Sequence, residues 1–544
     1  MNAHPMSTDA ELERLLARNK AVFDWCVRSA RRAQSENRFE DAAEWCHLGA
    51  FSAGFTGWFG ELTSPDLESI LCQLSAKMPG RVLRKKRGQG VNWLHVMTTA
   101  FDVGGHTNLV CRWIRMDCEN ARHHVVITDQ HCPLPDKLQQ VVAANGGELR
   151  VLDRGTSNIK QAQELWTMAA SLADVVVLHI HPQEVSAIIA FAEPSEIPVC
   201  LMNHVDHLFW VGTTIADRVI EFRELGRQWT RSFRGVDRSV MLPIPLEEAP
   251  WNRWVDPGRY HAARERLGIS KQQVVLLTIG TAYKYEPAGE WDFLRAAADI
   301  LDSCPEAVLI AVGPEPKDRW AKAIDRYGKR LQALGSKTDI SNGNSDYHSA
   351  ADIALGSFPF ASQTAILECA WLGIPCVLTP KAIPFGLDDL SFNGIDWPVT
   401  QQDYVEAAVR LIRSAALRQE QGTHLAGAVA RHHCGKGWMG YLDRLRAAIP
   451  PKHELHKTTA CSGLDSEACA LWAELNKLSQ SDALDHIHGR IISKGFNVTP
   501  YHDKELMAAL RNGSSTRSFP GLRFKWRKTR FQAGKLRRTL FRSK

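Results

Sequence analysis

The sequence predicts an α/β protein built from two doubly wound parallel sheets that face a cleft. At 544 residues the chain is too long for one hydrophobic core and has the length of two main domains with additional segments. From Val91 onward, short apolar stretches alternate with helical ones, and a second series of the same kind begins at Val274. Repeated strand and helix units of this length are typical of parallel sheets with helices on both faces.

Residues 1–88 precede the first series and predict a helical hairpin. Apolar residues recur at helical spacing from Leu12 to Cys26 and again from Ala42 to Leu48, with a polar turn between the two stretches. The hairpin has the character of one tetratricopeptide unit. Because stacked repeats need several copies to bury a core, a single hairpin does not predict a repeat array.

The first series, residues 89–246, predicts an N-terminal Rossmann-like domain. A Pro-rich passage, residues 242–251, spans its end, and we place the linker between the domains at residues 247–262. Strands are expected near residues 93–97, 124–128, 149–152, 175–180, 199–203 and 218–221.

The second series, residues 263–450, predicts a C-terminal Rossmann-like domain. Residues 451–544 then combine a polar spacer, a helix near residues 467–478 and a basic tail. Strands of this domain are expected at residues 274–279, 308–312, 353–355 and 377–379, with helices at 404–414 and 438–448.

Composition indicates a reduced, cytoplasmic compartment. The 13 cysteines are an odd number without a C-x-x-C pair, which argues against a disulfide framework and against a thiolate zinc site. The N-terminus lacks a basic stretch followed by an apolar one, and no apolar run approaches the roughly 18 residues of a membrane span. We therefore expect a protein that is neither exported by a signal peptide nor integral to a membrane.

Positive charge is concentrated at the C-terminus. The net charge is +6, yet residues 521–544 contain ten Lys or Arg and no acidic residue, so the rest of the chain is net acidic. Leucine, phenylalanine and tryptophan residues are interleaved with these cations, a pattern typical of segments that lie on an anionic bilayer surface. We expect peripheral association with the inner face of the membrane, with a solvated basic end as the alternative. Nucleic acid is not expected as a partner.

Residues 352–377 combine an apolar strand, a small polar turn and a helix that ends at a glycine. Backbone N–H groups at Gln363 and Thr364, preceded by Ser362, would point beyond the carboxyl end of the strand, where the helix dipole favours negative charge. One turn further, Glu368 would reach the hydroxyl groups of a ribose, the alternative being a carboxylate on the helix surface. The segment predicts a site for a pyrophosphate and its nucleoside.

This segment resembles a known family. Residues 367–377, LECAWLGIPCV, resemble the L-E-A-x-x-x-G-x-P-V signature in the donor-binding domain of two-domain (GT-B) glycosyltransferases. Retaining members of that group have a glutamate where this chain has Phe360. The segment is therefore closer to the O-GlcNAc transferase and bacterial adhesin N-glucosyltransferase branch, which is inverting and has threonine-rich turns where residues 362–364 stand.

Two further segments resemble the same branch. Residues 281–287, TAYKYEP, resemble its Tyr-Lys-x-x-Pro loop, and the resemblance implies that Lys284 contacts the donor phosphates. Residues 101–107, FDVGGHT, resemble its N-terminal loop with an active-site histidine, here His106. Thr107 is expected to cap the helix that follows.

Ligands of open parallel sheets bind beyond the carboxyl ends of the strands, so residues that follow a strand are candidates for chemistry. Lys284 follows the 274–279 strand, and its ammonium would offset the charge that develops on a departing diphosphate, unless it is an ordinary surface lysine. Gly104 and Gly105 would allow the backbone of the first domain to approach a ligand closely. His106 would orient the acceptor, bind the diphosphate or act as a general base, and a structural role is the alternative.

His204, Asp206 and His207 follow another predicted strand, and His179 and His181 end a third. H-x-D-H is not an established ligand spacing, and alternate residues of a strand point to opposite faces, so we predict no metal site. The first three residues are expected on the acceptor side of the cleft, with ordinary loop structure as the alternative. The chain contains no D-x-D, so the lysine and the helix N-terminus are expected to replace a metal that bridges the donor.

Together these features predict a metal-independent, inverting glycosyltransferase whose first domain binds the acceptor. The donor would be a nucleotide diphosphate sugar, UDP-linked, acting as co-substrate without a separate cofactor. A hexosyl or N-acetylhexosaminyl group would pass to a glycan, lipid-linked, protein or small-molecule acceptor. Two alternatives are a nucleotide-sugar epimerase on the same architecture and a non-catalytic sugar-nucleotide-binding module at the membrane surface.

Overall fold

A computed structural model describes residues 9–84, 90–102, 104–337, 343 and 345–475, so the basic tail at 521–544 lies outside the described residues. The described residues form two parallel sheets, one in each half of the chain, and the predicted two-domain α/β architecture is confirmed. The strands are β1 (Val91–Met97), β2 (Ala121–Ile127), β3 (Leu149–Val151), β4 (Val175–His179), β5 (Val199–Met202), β6 (Arg218–Glu221), β7 (Ser239–Met241), β8 (Val274–Ile279), β9 (Ala307–Val312), β10 (Leu331–Ala333), β11 (Ile353–Leu355) and β12 (Cys376–Val377).

Helices cover both sheets and form the N-terminal region. None of the described helices is both long enough and apolar enough to cross a bilayer. The helices are α1 (Asp9–Ser35), α2 (Phe39–Phe51), α3 (Pro65–Ser75), α4 (Gly105–Asp117), α5 (Asp136–Ala144), α6 (Asn158–Leu172), α7 (Val185–Phe191), α8 (Glu224–Arg234), α9 (Pro257–Arg266), α10 (Phe293–Ser303), α11 (Asp318–Tyr327), α12 (Asp346–Ala350), α13 (Gln363–Trp371), α14 (Gln401–Arg413), α15 (Ala415–His433), α16 (Gly435–Ala448) and α17 (Ser466–Leu475).

The first sheet has the strand order β3-β2-β1-β4-β5-β6-β7, and its neighbouring strands are parallel. All five residues of β4, Val-Val-Val-Leu-His, are buried, because a central parallel strand is covered by helices on both faces. The order of strands reverses between β1 and β4. Loops that follow the strands beside this switch point border a crevice at the carboxyl edge of the sheet.

The second sheet has the order β10-β9-β8-β11-β12, again parallel, with its switch point between β8 and β11. Lys284 follows β8 and Ser362 follows β11, so both residues lie at this switch point. Two short strands, β7 and β10, were absent from the sequence prediction. No residue of β7 is fully buried and Gln332 interrupts β10, so neither contains the continuous apolar run that marks the equally short β11.

The N-terminal region contains the predicted hairpin, α1 and α2, in which Trp25 and Trp45 pack edge to face at 5.0 Å between ring centroids. A third helix, α3, begins at Pro65 and is capped by the hydroxyl of Ser64, which accepts a hydrogen bond from the Leu67 amide. The hairpin shares one hydrophobic core with the helices and strands of the first domain. The helical region is therefore packed onto the first domain.

The last part of the chain returns to the first domain. Helix α16, which the sequence prediction includes in residues 263–450, packs its Trp438 against Trp113 of α4, and the Trp438 indole donates to the Pro243 carbonyl at 2.7 Å. Further along, the His453 ring lies 2.8 Å from the Asp217 carboxylate at the base of β6. The first domain is thus built from more than one stretch of sequence.

Candidate functional site

A cavity of about 760 Å³ lies between the carboxyl edges of the two sheets. Residues of both domains line it, and the π-helix at Ser52–Thr56 and helix α17 contribute the rest of the wall. Gly104 and Glu368 are not among the lining residues. The sequence-predicted residues that do line it are Gly105, His106, His204, Asp206, His207, Lys284, Ser362, Gln363 and Thr364.

The N-terminus of α13 faces this cavity without a side-chain cap. Ser362, the N-cap residue, makes no capping bond, and its hydroxyl accepts from Ser357 instead at 2.9 Å. Within the described part of the chain, the backbone N–H groups of Gln363 and Thr364 and the buried side-chain amide nitrogen of Gln363 have no acceptor. Buried donors without acceptors at a helix N-terminus form a site suited to an anion.

Helix α4 of the first domain presents a second N-terminus to the same cavity. It begins at Gly105 after Gly104 and also lacks a side-chain cap. The predicted cap is wrong, because the Thr107 hydroxyl accepts a hydrogen bond from the Phe101 amide at 2.9 Å. A Cβ atom on Gly105 would lie 3.8 Å from the Thr364 hydroxyl, so the two helix N-termini approach each other across the domain boundary.

Lys284 lies beside the α13 turn, in a 3₁₀ turn that follows β8. Its ammonium donates to the Ala361 carbonyl at 3.1 Å and lies 5.3 Å from the centroid of the Phe360 ring. Burial lowers the pKa of Lys284 to about 8. The end of β8 passes close to the turn before α13, and this requires glycine at position 280, since a Cβ there would lie 2.5 Å from the Ser362 hydroxyl.

Glu368 has a different position from the other candidates. Its Oε1 accepts a hydrogen bond at 2.6 Å from Nη2 of Arg112, which lies on α4 in the first domain. Burial raises the pKa of Glu368, and the charge of Arg112 opposes that rise. The carboxylate joins the two domains behind the cavity wall, and its contact with a ribose remains a prediction.

Asp206 is already paired with protein groups. Arg223 donates to both of its carboxylate oxygens at 2.6 and 2.8 Å and also to the Gly386 carbonyl of the second domain. Burial raises the pKa of Asp206, but Arg223 and His207 outweigh burial and hold that pKa well below its ordinary value. The pair positions the loop after β5 against the second domain.

His207 lies in an aromatic wall of the cavity. Its ring centroid is 5.1 Å from that of Phe360, 6.0 Å from Phe385 and 4.9 Å from Trp472. Trp472 comes from α17, far from the motifs in sequence, and no local pattern predicts its contribution. The wall offers flat apolar faces, which suit the apolar face of a sugar ring or a nucleobase.

His106 and His204 stack on each other at the first-domain side of the cavity, with ring centroids 3.9 Å apart and planes inclined by 30°. Burial, and to a smaller extent the nearby His181, lower the pKa of His106 to about 4. Burial also lowers the pKa of His204 well below its ordinary value, so both rings are neutral near pH 7. Across the described ranges, no group of three or more His, Cys, Asp or Glu is placed to bind a metal ion.

The sequence matches no protein-family profile and no curated protein. Among solved structures, an O-GlcNAc transferase mutant of Thermobaculum terrenum is 16% identical, with a TM-score of 0.48 over 78% of this chain and 81% of that one. A TarM mutant of S. aureus, in complex with fondaparinux, alpha-GlcNAc-glycerol and UDP, is 9% identical, with a TM-score of 0.47 over 66% and 99% of the two chains. The sucrose-phosphate synthase of Thermosynechococcus elongatus is 13% identical, with a TM-score of 0.46 over 66% and 99%.

Proposed function

We propose that this protein is a glycosyltransferase that uses a nucleotide diphosphate sugar, UDP-linked, as its donor. The observation that supports the proposal is the convergence of three positive groups on one cavity, namely the N-termini of α4 and α13 and the ammonium of Lys284. The cavity, at about 760 Å³, has the volume of pockets that enclose ligands of this size. The motif resemblance at residues 281–287 and 367–377 is a second, independent support.

In the proposed reaction the diphosphate lies between the two helix N-termini. As the bond from the anomeric carbon to the diphosphate breaks, its electron pair leaves with the diphosphate, and Lys284 and the main-chain amides stabilise the added charge. These groups take the place of a divalent cation. The acceptor binds on the first-domain side, near His106 and His204, and attacks the anomeric carbon from the opposite face. Phe360, at the position of a glutamate in retaining enzymes, favours inversion.

The transferred group is proposed to be a hexosyl or N-acetylhexosaminyl unit. The aromatic wall of Phe360, Phe385 and Trp472 supports a sugar as a bound group, because sugar rings stack on aromatic faces. The acceptor is a glycan, a lipid-linked glycan, a protein or a small molecule. We also propose that residues 521–544 attach the protein to the inner face of the membrane, where a lipid-linked acceptor would be found.

Titration calorimetry with UDP and UDP-sugars is the first test. A folded protein that binds neither UDP nor a UDP-sugar would contradict the proposal and the epimerase alternative together. A protein that binds UDP-sugars and converts them to other UDP-sugars without an acceptor would be an epimerase. Transfer of sugar to a component of cell extract would support the transferase.

The second test compares variants in the transfer assay. Lys284→Ala is expected to lower turnover roughly 10²- to 10³-fold, the loss typical of a group that stabilises developing negative charge. The exposed Lys322 of α11 provides a matched control, and Lys322→Ala should keep full turnover. Binding of UDP-sugar without any turnover, in wild type and variants alike, would favour the non-catalytic binding module.

A further inference from the structure

Four histidines form a continuous line of hydrogen bonds across the first sheet, and we name them the imidazole chain. They lie on β2, β1 and β4 and after β5, four strands that are neighbours in that order. His123 Nδ1 is 2.9 Å from His95 Nε2, His95 Nδ1 is 2.9 Å from His179 Nε2, and His179 Nδ1 is 3.1 Å from His204 Nε2. His95 and His123 are fully buried, whereas His204 lines the cavity.

The buried end of the imidazole chain lies beside a carboxylate. His123 Nε2 lies 3.3 Å from Asp117 Oδ2, within ion-pair distance, although the contact does not have the geometry of a hydrogen bond. Asp117 is fully buried, and Arg446 of α16 donates to both of its oxygens at 2.5 and 2.6 Å. A carboxylate oxygen repels the lone pair of a bare ring nitrogen and attracts an N–H group, so the tautomer of His123 with its proton on Nε2 is favoured.

This electrostatic preference sets the tautomer of every ring in the imidazole chain. With its proton on Nε2, His123 accepts at Nδ1 and so requires a proton on Nε2 of His95. The same reasoning repeats along the chain and leaves each ring protonated at Nε2 and bare at Nδ1. His204 is the last member. Its Nδ1 makes no hydrogen bond with any described residue, so a bare nitrogen is available on a ring that borders the cavity.

We propose that His204 Nδ1 accepts the proton of the acceptor hydroxyl, and that Asp117, His123, His95 and His179 are positioning residues that fix its tautomer. The proposal rests on the function proposed above. As the acceptor oxygen bonds to the anomeric carbon and the diphosphate leaves with the electron pair, the hydroxyl proton passes to Nδ1. The resulting imidazolium keeps its Nε2 proton on the bond to His179, and the new proton returns to solvent when the products leave.

The surroundings of His204 keep it in the neutral form that accepts a proton. Burial lowers the pKa of His204 well below its ordinary value, and His106 from α4, His179 from β4 and His181 after β4 lower it further. The ring of its neighbour His106 makes no hydrogen bond within the described ranges, so no partner fixes a tautomer there. The imidazole chain therefore fixes the tautomer of His204 but not that of His106, which stacks on it.

The tautomers can be measured without any enzymatic activity. The measurement uses two-bond nitrogen–proton NMR spectra of protein labelled with ¹⁵N-histidine, at neutral pH. The four rings of the imidazole chain should be neutral, with protonated Nε2 and bare Nδ1. Single replacements of each histidine by glutamine assign the signals. A wild-type spectrum with the proton of His204 on Nδ1 would overturn the proposal whether or not the protein transfers sugar.

Transfer rates test the role of the bare nitrogen. His204→Gln is expected to lower the rate roughly 10²- to 10⁴-fold, the usual contribution of a general base, with UDP affinity unchanged. His179→Phe should lower the rate at unchanged UDP affinity, and His179→Asn, whose side-chain oxygen accepts where Nδ1 did, should recover part of it. His124 is a buried histidine of β2 that does not belong to the imidazole chain, and it provides the matched control. His124→Phe should keep the wild-type rate.

The outcomes separate this inference from the proposed function. Full transfer by His204→Gln, or equal rates for His179→Phe and His179→Asn, would overturn the inference while the glycosyltransferase stands. A protein that shows the expected tautomers but transfers no sugar from any donor would remove the proposed function, and with it the catalytic role of His204.

Discussion

Arg112 and Glu368 form a buried ion pair across the boundary between the two domains, 2.6 Å from Nη2 to Oε1. Arg112 lies on α4 and Glu368 on α13, the two helices whose N-termini face the cavity. The pair therefore fixes the spacing of these N-termini, and with it the space in which a diphosphate would bind.

Removal of one partner of this pair should destabilise the protein. Glu368→Ala leaves the Arg112 charge buried without this partner, a change that costs about 3–5 kcal/mol in buried pairs. We expect a lower apparent Tm in differential scanning fluorimetry. The double variant Arg112→Met with Glu368→Leu should recover much of the loss, because an apolar pair of similar volume needs no charge compensation. An unchanged Tm in Glu368→Ala, combined with weaker UDP binding, would instead support the ribose contact.

The affinity for UDP should fall at alkaline pH because of Lys284. Burial lowers the pKa of its ammonium to about 8, so above that pH the free protein holds this side chain uncharged. A diphosphate favours the charged form, and its binding must then take up a proton. By linkage, affinity should fall about tenfold per pH unit above 8 and change little between about 7 and 8. Calorimetry at several pH values in buffers of different ionisation enthalpy measures both the affinity and the proton uptake.

A methionine in place of Lys284 supplies the control for the pH experiment. Lys284→Met should bind UDP weakly at every pH and lose the alkaline slope, while Lys322→Met, at an exposed position, should keep it. The same slope in Lys284→Met would assign the titration to another group.

A single methyl group at Gly280 should disturb the donor site. A Cβ there would lie 2.5 Å from the Ser362 hydroxyl and 3.1 Å from the Tyr285 hydroxyl, so these side chains or the turn before α13 must shift. Gly280→Ala is expected to weaken UDP binding at least tenfold, measured by calorimetry, because shifted amides no longer converge on the anion. Gly440→Ala in α16 is the matched control, since its Cβ meets no atom within 4 Å and alanine favours a helix by about 1 kcal/mol. Equal UDP affinity in both variants would contradict the site.

The basic tail should determine binding to anionic membranes. The ten Lys and Arg of residues 521–544 are each expected to contribute up to about 1 kcal/mol near an anionic surface. Sedimentation with phosphatidylserine vesicles should recover the full chain but not a chain truncated after Pro520. Binding of the full chain should weaken as salt increases. Equal sedimentation of the two chains would remove the membrane proposal.

The sequence predicts the parts of this structure that depend on local pattern. Buried strands such as β4 and β8 are visible as apolar runs. Because ligands of parallel sheets bind beyond the carboxyl ends of the strands, the sequence also indicates Lys284 and the α13 turn as site candidates. The partner of Glu368 is 256 residues away, so only the packed domains reveal it. The imidazole chain is invisible for the same reason, because its histidines become neighbours only through the order β2-β1-β4-β5.

The return of α16 to the first domain has a mechanical consequence. Within the described residues up to α16, the chain passes between the domains near Leu246 and again where α15 gives way to α16, and the Leu246 amide donates to the His433 carbonyl at 2.8 Å. At the second passage, Gly435 has a φ of +43°, a backbone angle that glycine adopts without strain. These two covalent connections thus lie side by side, and proteolysis at either one alone would leave the domains tethered.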